Sequence, residues 1–491
     1  MEYYNLLNLP FDATSDEIRA AYFEAARKYH PDAANGMANG NLFISIQNAY
    51  DVLSNDKRRH AYDQTIPSQA KEKFPLEVET SYSRKTIFQT SDPQLLYVIL
   101  SIGSAQKVKP AERMPAHVCL IIDRSISMRG TRMEMVIKNL KQLIQWLQPD
   151  DVISAVAFSD RAEIILDPVE CRHASLIDAK LYELRTAGAT EIYQGLELGY
   201  DLFKGFAGKS SLSKHLLLVT DGHTYGDEEK CVQLAESAAS EGVIFNAIGI
   251  GDEWNDTFLD RLSSVSGGST HFIKNELDLR RFVESKTRSL GEVFARKAEI
   301  HLDLPEYVEL KYAFRIQPDV APLHLQLPIQ IGTVEYNRKT SVIFEFNIVN
   351  ASKAQTPGKI GDGKILLEIP GKRIPVERSF IHLELPSSSR WINEPVPTEV
   401  MQAMSKISLY RLQEKAREKA MSGDIDGATR HLNFLATRLF SQGENKLAGM
   451  ALSEAEHLQK YGNFSKDGDK IIKYGTRSLF LLPGPEVADN D

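Results

Sequence analysis

Hydrophobic and polar positions follow four successive rhythms along this chain. Over residues 1–66 the rhythm is helical. Tyr3, Leu6 and Leu7 fall on one face of a short first helix, and Ile18, Ala21, Tyr22, Ala25 and Tyr29 recur at helical spacing in a second. Thr14 and Glu17 form a capping box at its start. Pro31 stops it, because the residue before a proline is driven out of the helical region. After the polar AANGMANGN, the run NLFISIQNAYDVLS turns Phe43, Ile46, Ala49, Tyr50 and Leu53 inward, and the basic NDKRRHAYDQ closes the unit. Residues 67–75, PSQAKEKFP, read as a polar linker.

Two strand-like stretches, LEVETSYSR and LLYVILSI, occupy residues 76–114. Over 115–296 continuous apolar runs then alternate with amphipathic ones. Strands are expected at HVCLIID, DVISAVAFS, AEIILDP, KHLLLVTD, VIFNAIGIG and STHFIKN, with helices near 132–147, 174–184, 191–204, 227–241, 255–264 and 276–296. That alternation predicts a doubly wound, Rossmann-like α/β fold around a mainly parallel sheet buried on both faces. From 297 to 390 the period drops to two. EIHLDLP, YVELKYAF, LHLQLP, IQIGTVEY, TSVIFEFNI, KILLEIP and IPVERSFIHLELP, broken by proline, glycine and asparagine turns, predict a β-sandwich of about seven or more strands. The strands at 76–114 fit most economically in the same sandwich, which makes the α/β domain an insertion. Residues 395–480 return to helical spacing, with three amphipathic helices expected to pack as a bundle on the sandwich. Residues 481–491 read as an acidic tail.

Composition narrows the function. The 491 residues carry 58 basic and 66 acidic side chains, a formal net charge of −8, which argues against a nucleic-acid binder. The three cysteines have no CxxC spacing, so neither a zinc ribbon nor a disulfide framework follows. No signal-peptide pattern or membrane-spanning run is present, and the expected location is the cytoplasm.

The chemistry concentrates where apolar runs end. HVCLIIDRSISM breaks from strand into Asp123, Ser125 and Ser127; Asp221 follows KHLLLVT in the same way, and Thr190 lies in the loop TAGATE before a helix. Doubly wound folds bind ligands at the carboxyl ends of their strands. Three distant loops would therefore deliver five oxygen side chains to one spot. Such hard donors suit a divalent cation, magnesium first, with manganese or calcium as alternatives. Gly208-Lys209-Ser210 lacks the first glycine of a phosphate loop, and His223 reads as a rim residue. No enzymatic constellation emerges.

Two resemblances carry the functional expectation. Tyr3-Tyr4-x-Leu6-Leu7, Tyr29-His30-Pro31-Asp32, Ala49-Tyr50-x-x-Leu53-Ser54, Lys57-Arg58-Arg59 and Tyr62-Asp63 resemble a J-domain, the module that stimulates DnaK-type chaperone ATPases. The resemblance implies that His30, Pro31 and Asp32, with Arg19, Arg27 and Lys28 on the preceding helix, contact the chaperone. Asp123-x-Ser125-x-Ser127, Thr190 and Asp221-Gly222 resemble the metal-ion-dependent adhesion site of a von Willebrand factor type A domain, with Ile126 where glycine is often found. By that likeness Ser125, Ser127 and Thr190 would ligate the ion directly, and Asp123 and Asp221 mostly through water, leaving a position for a partner's carboxylate. The implied protein is a J-domain co-chaperone whose type A domain binds a protein partner through the ion. The alternative is a metal-dependent scaffold or assembly factor with an accessory J-domain. No nucleic acid and no membrane span are implied.

Overall fold

In the computed structural model, which describes residues 3, 4, 7, 9, 13–29, 40–65, 76–104, 114–173, 180, 184–186, 188–205, 212–222, 226–251, 254–290, 292–336, 338–353, 358–369, 376–390, 395–465 and 467–480, the chain divides into two compact units. These are Met1–Pro75 with Gly371–Ser379, and Leu76–Pro370 with Phe380–Asp491.

In the first unit the amphipathic runs form α1 (Ser15–Tyr29) and α2 (Gly40–Leu53), followed by α3 (Asp56–Thr65). Tyr4, Leu7, Ala13, Ile18, Ile46, Ala49 and Leu53 make its core, and Tyr22 stacks on Tyr50 with ring centroids 4.0 Å apart. Thr14 stands at the start of α1, its carbonyl accepting from Ile18 N–H at 3.0 Å. The basic run does more than close the unit. Arg59 donates to the Tyr4 hydroxyl at 2.8 Å and to the Ala13 carbonyl at 2.7 Å, so one guanidinium ties α3 to the core and to the entry of α1.

The second unit begins with β1 (Leu76–Tyr82), β2 (Ile87–Phe88) and β3 (Gln94–Ser104). The α/β domain follows as β4 (Ala116–Asp123), α4 (Thr131–Trp146), β5 (Val152–Phe158), β6 (Ala162–Glu170), α5 (Ile192–Gly205), β7 (Ser213–Thr220), α6 (Glu228–Ser240), β8 (Val243–Ile250), α7 (Asp256–Ser264), β9 (Thr270–Ile273) and α8 (Glu276–Leu290). Its sheet has the order β6-β5-β4-β7-β8-β9, parallel except for β6, which runs antiparallel to β5. Every residue of β4, β5 and β8 is buried, as continuous apolar strands covered on both faces must be. α4 and α8 cover one face, and α5, α6 and α7 the other.

Strands β10 (Val293–Asp303), β11 (Val308–Gln317), β12 (Ala321–Pro322), β13 (Ile329–Glu335), β14 (Thr340–Ile348), β15 (Lys359–Glu368) and β16 (Val376–Glu384) complete a sandwich of two sheets, ordered β1-β3-β14-β11-β12 and β13-β10-β15-β16. β3 pairs with β14 in one antiparallel register, from Gln94↔Ile348 to Ile102↔Thr340. The α/β domain is thus inserted between two strands of the sandwich. The helix expected to run to 296 ends at Leu290. Val293, Phe294, Ala295, Ala298 and Ile300 are buried strand residues, and this short apolar run fits either period until pairing with β13 decides it. The expected strand LHLQLP is also absent: only Ala321–Pro322 pairs, and Pro322 and Pro328 lack the N–H that a longer ladder needs. Of the helix expected near 174–184, only Lys180, which is helical, and Leu184, which is not, are described.

The C-terminal helices are α9 (Thr398–Met421), α10 (Ile425–Ser441), α11 (Asn445–Tyr461) and α12 (Gly468–Ser478). They pack on the sandwich through Val400, Ala403, Ile407, Tyr410 and Phe480 against Ile99, Phe314 and Ile343. This covers the second face of β3 and accounts for its nearly all-apolar sequence. Beyond the three helices expected over 395–480, a fourth, α12, forms. Its GDKIIKYGTRS has weak intrinsic propensity, and tertiary contact makes the helix. Lys473 Nζ sits 2.5 Å from Asp256 and 2.9 Å from Asp260 of α7, Arg477 donates to Asp260 at 2.9 Å, and Arg417 of α9 also pairs with Asp256. Burial alone would raise both carboxyls, but Arg417 and Lys473 at Asp256, and Arg477 and Lys473 at Asp260, pull them below the usual carboxylate range. Lys473→Met would leave two buried carboxylates short of a partner. It should cost about 3–5 kcal/mol in urea unfolding. Because both folded values are depressed, the network's stabilisation should be complete above about pH 4 and disappear as acid carries the pH through them. Unfolding midpoints measured across that range test the sign.

Candidate metal centre

The sheet order reverses direction at β4, which has β5 on one side and β7 on the other. The crevice beyond the carboxyl ends of β4 and β7 is therefore the ligand position of this topology. Asp123 is the last residue of β4 and fully buried. Its Oδ1 accepts from Ser125 N–H at 2.8 Å, and its Oδ2 accepts from the Thr220 hydroxyl, on the last residue of β7, at 2.6 Å. Burial pushes the Asp123 carboxyl up from its ordinary value. The Thr220 and Ser125 hydrogen bonds oppose that shift, and the charge of Asp221 adds to it.

After Asp123 the chain makes a single turn of 3-10 helix over Ile126–Met128, which holds Ser125 and Ser127 on the same side. Their hydroxyl oxygens lie 2.9 Å apart, and Ser127 Oγ donates to Asp221 Oδ1 at 2.7 Å. Thr190 arrives from the loop before α5. It is buried, and its hydroxyl makes no hydrogen bond to a described residue. A methyl group built on Gly222 would stand 3.3 Å from Thr190 Oγ1 and 3.9 Å from Asp123 Oδ2, so these two oxygens face the same backbone. The Ile126–Gly188 backbone hydrogen bond, at 3.4 Å, joins the first loop to the third.

The structure thus brings Asp123, Ser125, Ser127, Thr190 and Asp221 together. This donor set, two carboxylates and three hydroxyls, has the hardness and mixed charge that a small divalent cation takes. Among the described residues there is no group of three or more His, Cys, Asp or Glu side chains that could hold a metal in another way. Two further members were not foreseen. Thr220 buttresses Asp123, and its signal was its position directly before Asp221. Arg132, on the first turn of α4, pairs with Asp221 Oδ2 and donates to the Ser127 carbonyl at 3.3 Å. Ile126, at the position between the two serines, is 65% exposed and adds an aliphatic edge to the rim. His223 and Gly208-Lys209-Ser210 lie outside the described residues. So do His30, Pro31 and Asp32 and the side chains of Arg27 and Lys28, while Arg19 is exposed on α1.

Comparison with known proteins agrees with this division of the chain. Residues 2–63 match the family model described as DnaJ domain, residues 117–284 that of the von Willebrand factor type A domain, and residues 398–482 that of the Sll0103-like, C-terminal alpha-helical domain. The uncharacterized protein sll0103 of Synechocystis sp. is 26% identical over 396 residues, covering 78% of this chain and 93% of the relative. The chaperone protein DnaJ of Campylobacter hominis is 48% identical over 63 residues, which is 13% of this chain and only 18% of the relative. Among solved structures, a von Willebrand factor type A protein from Catenulispora acidiphila superposes with a TM-score of 0.64 at 15% identity, covering 82% of this chain and 96% of that one. The ArnB paralog VWA2 from Sulfolobus acidocaldarius superposes with a TM-score of 0.50 at 17% identity, covering 84% and 100%. At these identities the structural likeness speaks for the fold. The chain carries a DnaJ domain at its N-terminus and a von Willebrand factor type A domain in its middle third.

Proposed function

We propose that this protein is a co-chaperone that brings a DnaK-type ATPase to a partner held by the type A domain, and that the partner is held through a divalent ion. The DnaJ match is the observation that carries the first half. α1 and α2 share an aromatic and aliphatic core, His30, Pro31 and Asp32 fall between them in the sequence, and Arg19 lies exposed on α1. The chaperone-binding role of these residues, with Arg27 and Lys28, is part of the proposal.

The oxygen cluster at the end of β4 supports the second half. Asp123, Ser125, Ser127, Thr190 and Asp221 would hold the ion, magnesium before manganese or calcium, and the ion would supply an electrophilic position for a carboxylate of the partner. What the chain's own residues do is separate from the ion. Thr220 and the Ser125 N–H fix the Asp123 carboxylate, and Ser127 and Arg132 fix that of Asp221. Ile126 offers apolar contact beside them. Both recognised domains are of kinds that bind other proteins, which favours binding over turnover. No helix among the described residues is long and apolar enough to cross a membrane.

The test is the steady-state ATPase rate of the source organism's DnaK with and without the full chain. The wild type and Asp123→Ala should both accelerate hydrolysis, because the metal site is not part of the chaperone contact. His30→Gln should abolish the acceleration. A wild-type chain that leaves the rate unchanged would overturn the co-chaperone reading and favour the metal-dependent scaffold.

A further inference from the structure

We propose that Arg132 is a built-in counter-charge at the ion site. It holds divalent-ion affinity down and leaves the occupied site with an excess positive charge that selects an anionic partner. The proposal rests on the reading of the five oxygen side chains as an ion site and goes beyond it, because it concerns a residue outside that set.

Three observations carry it. The first is position. Asp221 is fully buried at its side chain, and its two oxygens are divided between Ser127 Oγ, at 2.7 Å, and the Arg132 guanidinium. Arg132 also donates to the Ser127 carbonyl, so the guanidinium touches the loop that supplies two hydroxyls as well as the carboxylate across from it.

The second observation is that this position is constructed. Gly251, at the end of β8, has φ +74, and a methyl group built there would come within 3.0 Å of Arg132 Nη2 and 3.2 Å of its Cζ. The guanidinium therefore lies close against the bare backbone of Gly251, where a side chain would crowd it. The Gly251 carbonyl accepts from the Trp254 indole N–H at 3.0 Å, and Trp254 is buried against Phe272 and Tyr474. The surface under Arg132 is thus fixed from the interior. Its side chain is 32% exposed, which leaves it part-shielded beside a wholly buried partner.

The third is charge. Asp123 and Asp221 bring two negative charges to the site and Arg132 one positive, a sum of −1. A divalent ion raises that sum to +1, where without Arg132 it would be zero. A like charge this near, partly screened from water, opposes the ion by an amount that matters. It also favours any anionic group that completes the ion's surroundings. Ion and partner would then strengthen each other's binding, which suits a site meant to hold its partner's carboxylate and little else.

The experiment is a titration of the full chain with Mn2+, following free ion by electron paramagnetic resonance, for wild type, Arg132→Gln, Arg132→Met and Arg132→Lys. Removing the charge should tighten Mn2+ binding on the order of tenfold in both neutral variants, and lysine should keep the wild-type affinity within about twofold. Two neutral variants guard against one that fails to fold. Equal or weaker binding in the folded neutral variants, with the wild type still binding Mn2+, would overturn the role of Arg132 alone. No binding by any form would overturn it together with the ion site.

Discussion

A carboxylate with no exposure to water, at the end of the central strand of a buried sheet, sets the terms for the type A domain. Asp123 cannot lie there at ordinary cost unless its oxygens are met. One is met by a backbone N–H two residues on and the other by the hydroxyl that ends the neighbouring strand. The first bond requires the tight turn that places Ser125 and Ser127. The second requires β4 and β7 to be paired in their observed register. The fold and the site are therefore specified by the same interactions. Burial still pushes the Asp123 carboxyl up from its ordinary value, against the pull of those two hydrogen bonds.

Contacts on three sides tie the domain to the rest of its unit. The insertion leaves the sandwich at β3 and returns at β10, and Arg315 of the sandwich reaches back to the carbonyls of Gly267 and Gly268 as well as to Ile331 and Asp319. That contact needs glycine. A methyl group on Gly267 would lie 2.2 Å from Gly332 N, and both residues have positive φ. On a third side, Asp256 and Asp260 meet the cations of α9 and α12. Such buried ion pairs contribute little net stability compared with apolar packing, but a misplaced helix would leave several charges stranded. They fix where the C-terminal helices dock, and Trp254 links that docking surface to the loop beneath Arg132.

Much of this was legible in the sequence, because the dominant signals are periodic. The apolar runs of β4, β7 and β8 and the amphipathic helices between them follow from burial on two faces or one. The five oxygen residues could be grouped because each follows a strand or precedes a helix at the sheet's carboxyl edge. Illegible parts depended on partners distant in sequence. The run from Val293 to Ala298 fits either period until β13 pairs with it. The glycine-bearing GDKIIKYGTRS is held as a helix by tertiary contact, with Ile472 in the apolar core and Lys473 and Arg477 against two carboxylates more than two hundred residues away. Arg132 looked like an ordinary first-turn residue, and nothing local to it announces Asp221 or Gly251.

On the proposed function, the oxygen cluster around Asp123 holds an ion. Calorimetric titration of the full chain with Mg2+ tests it most directly, with Asp123→Ala checked by circular dichroism as the comparison. The account predicts one ion bound per wild-type chain and none by the folded variant. A folded wild-type chain that takes up no ion, or a variant that binds it equally well, would contradict the account.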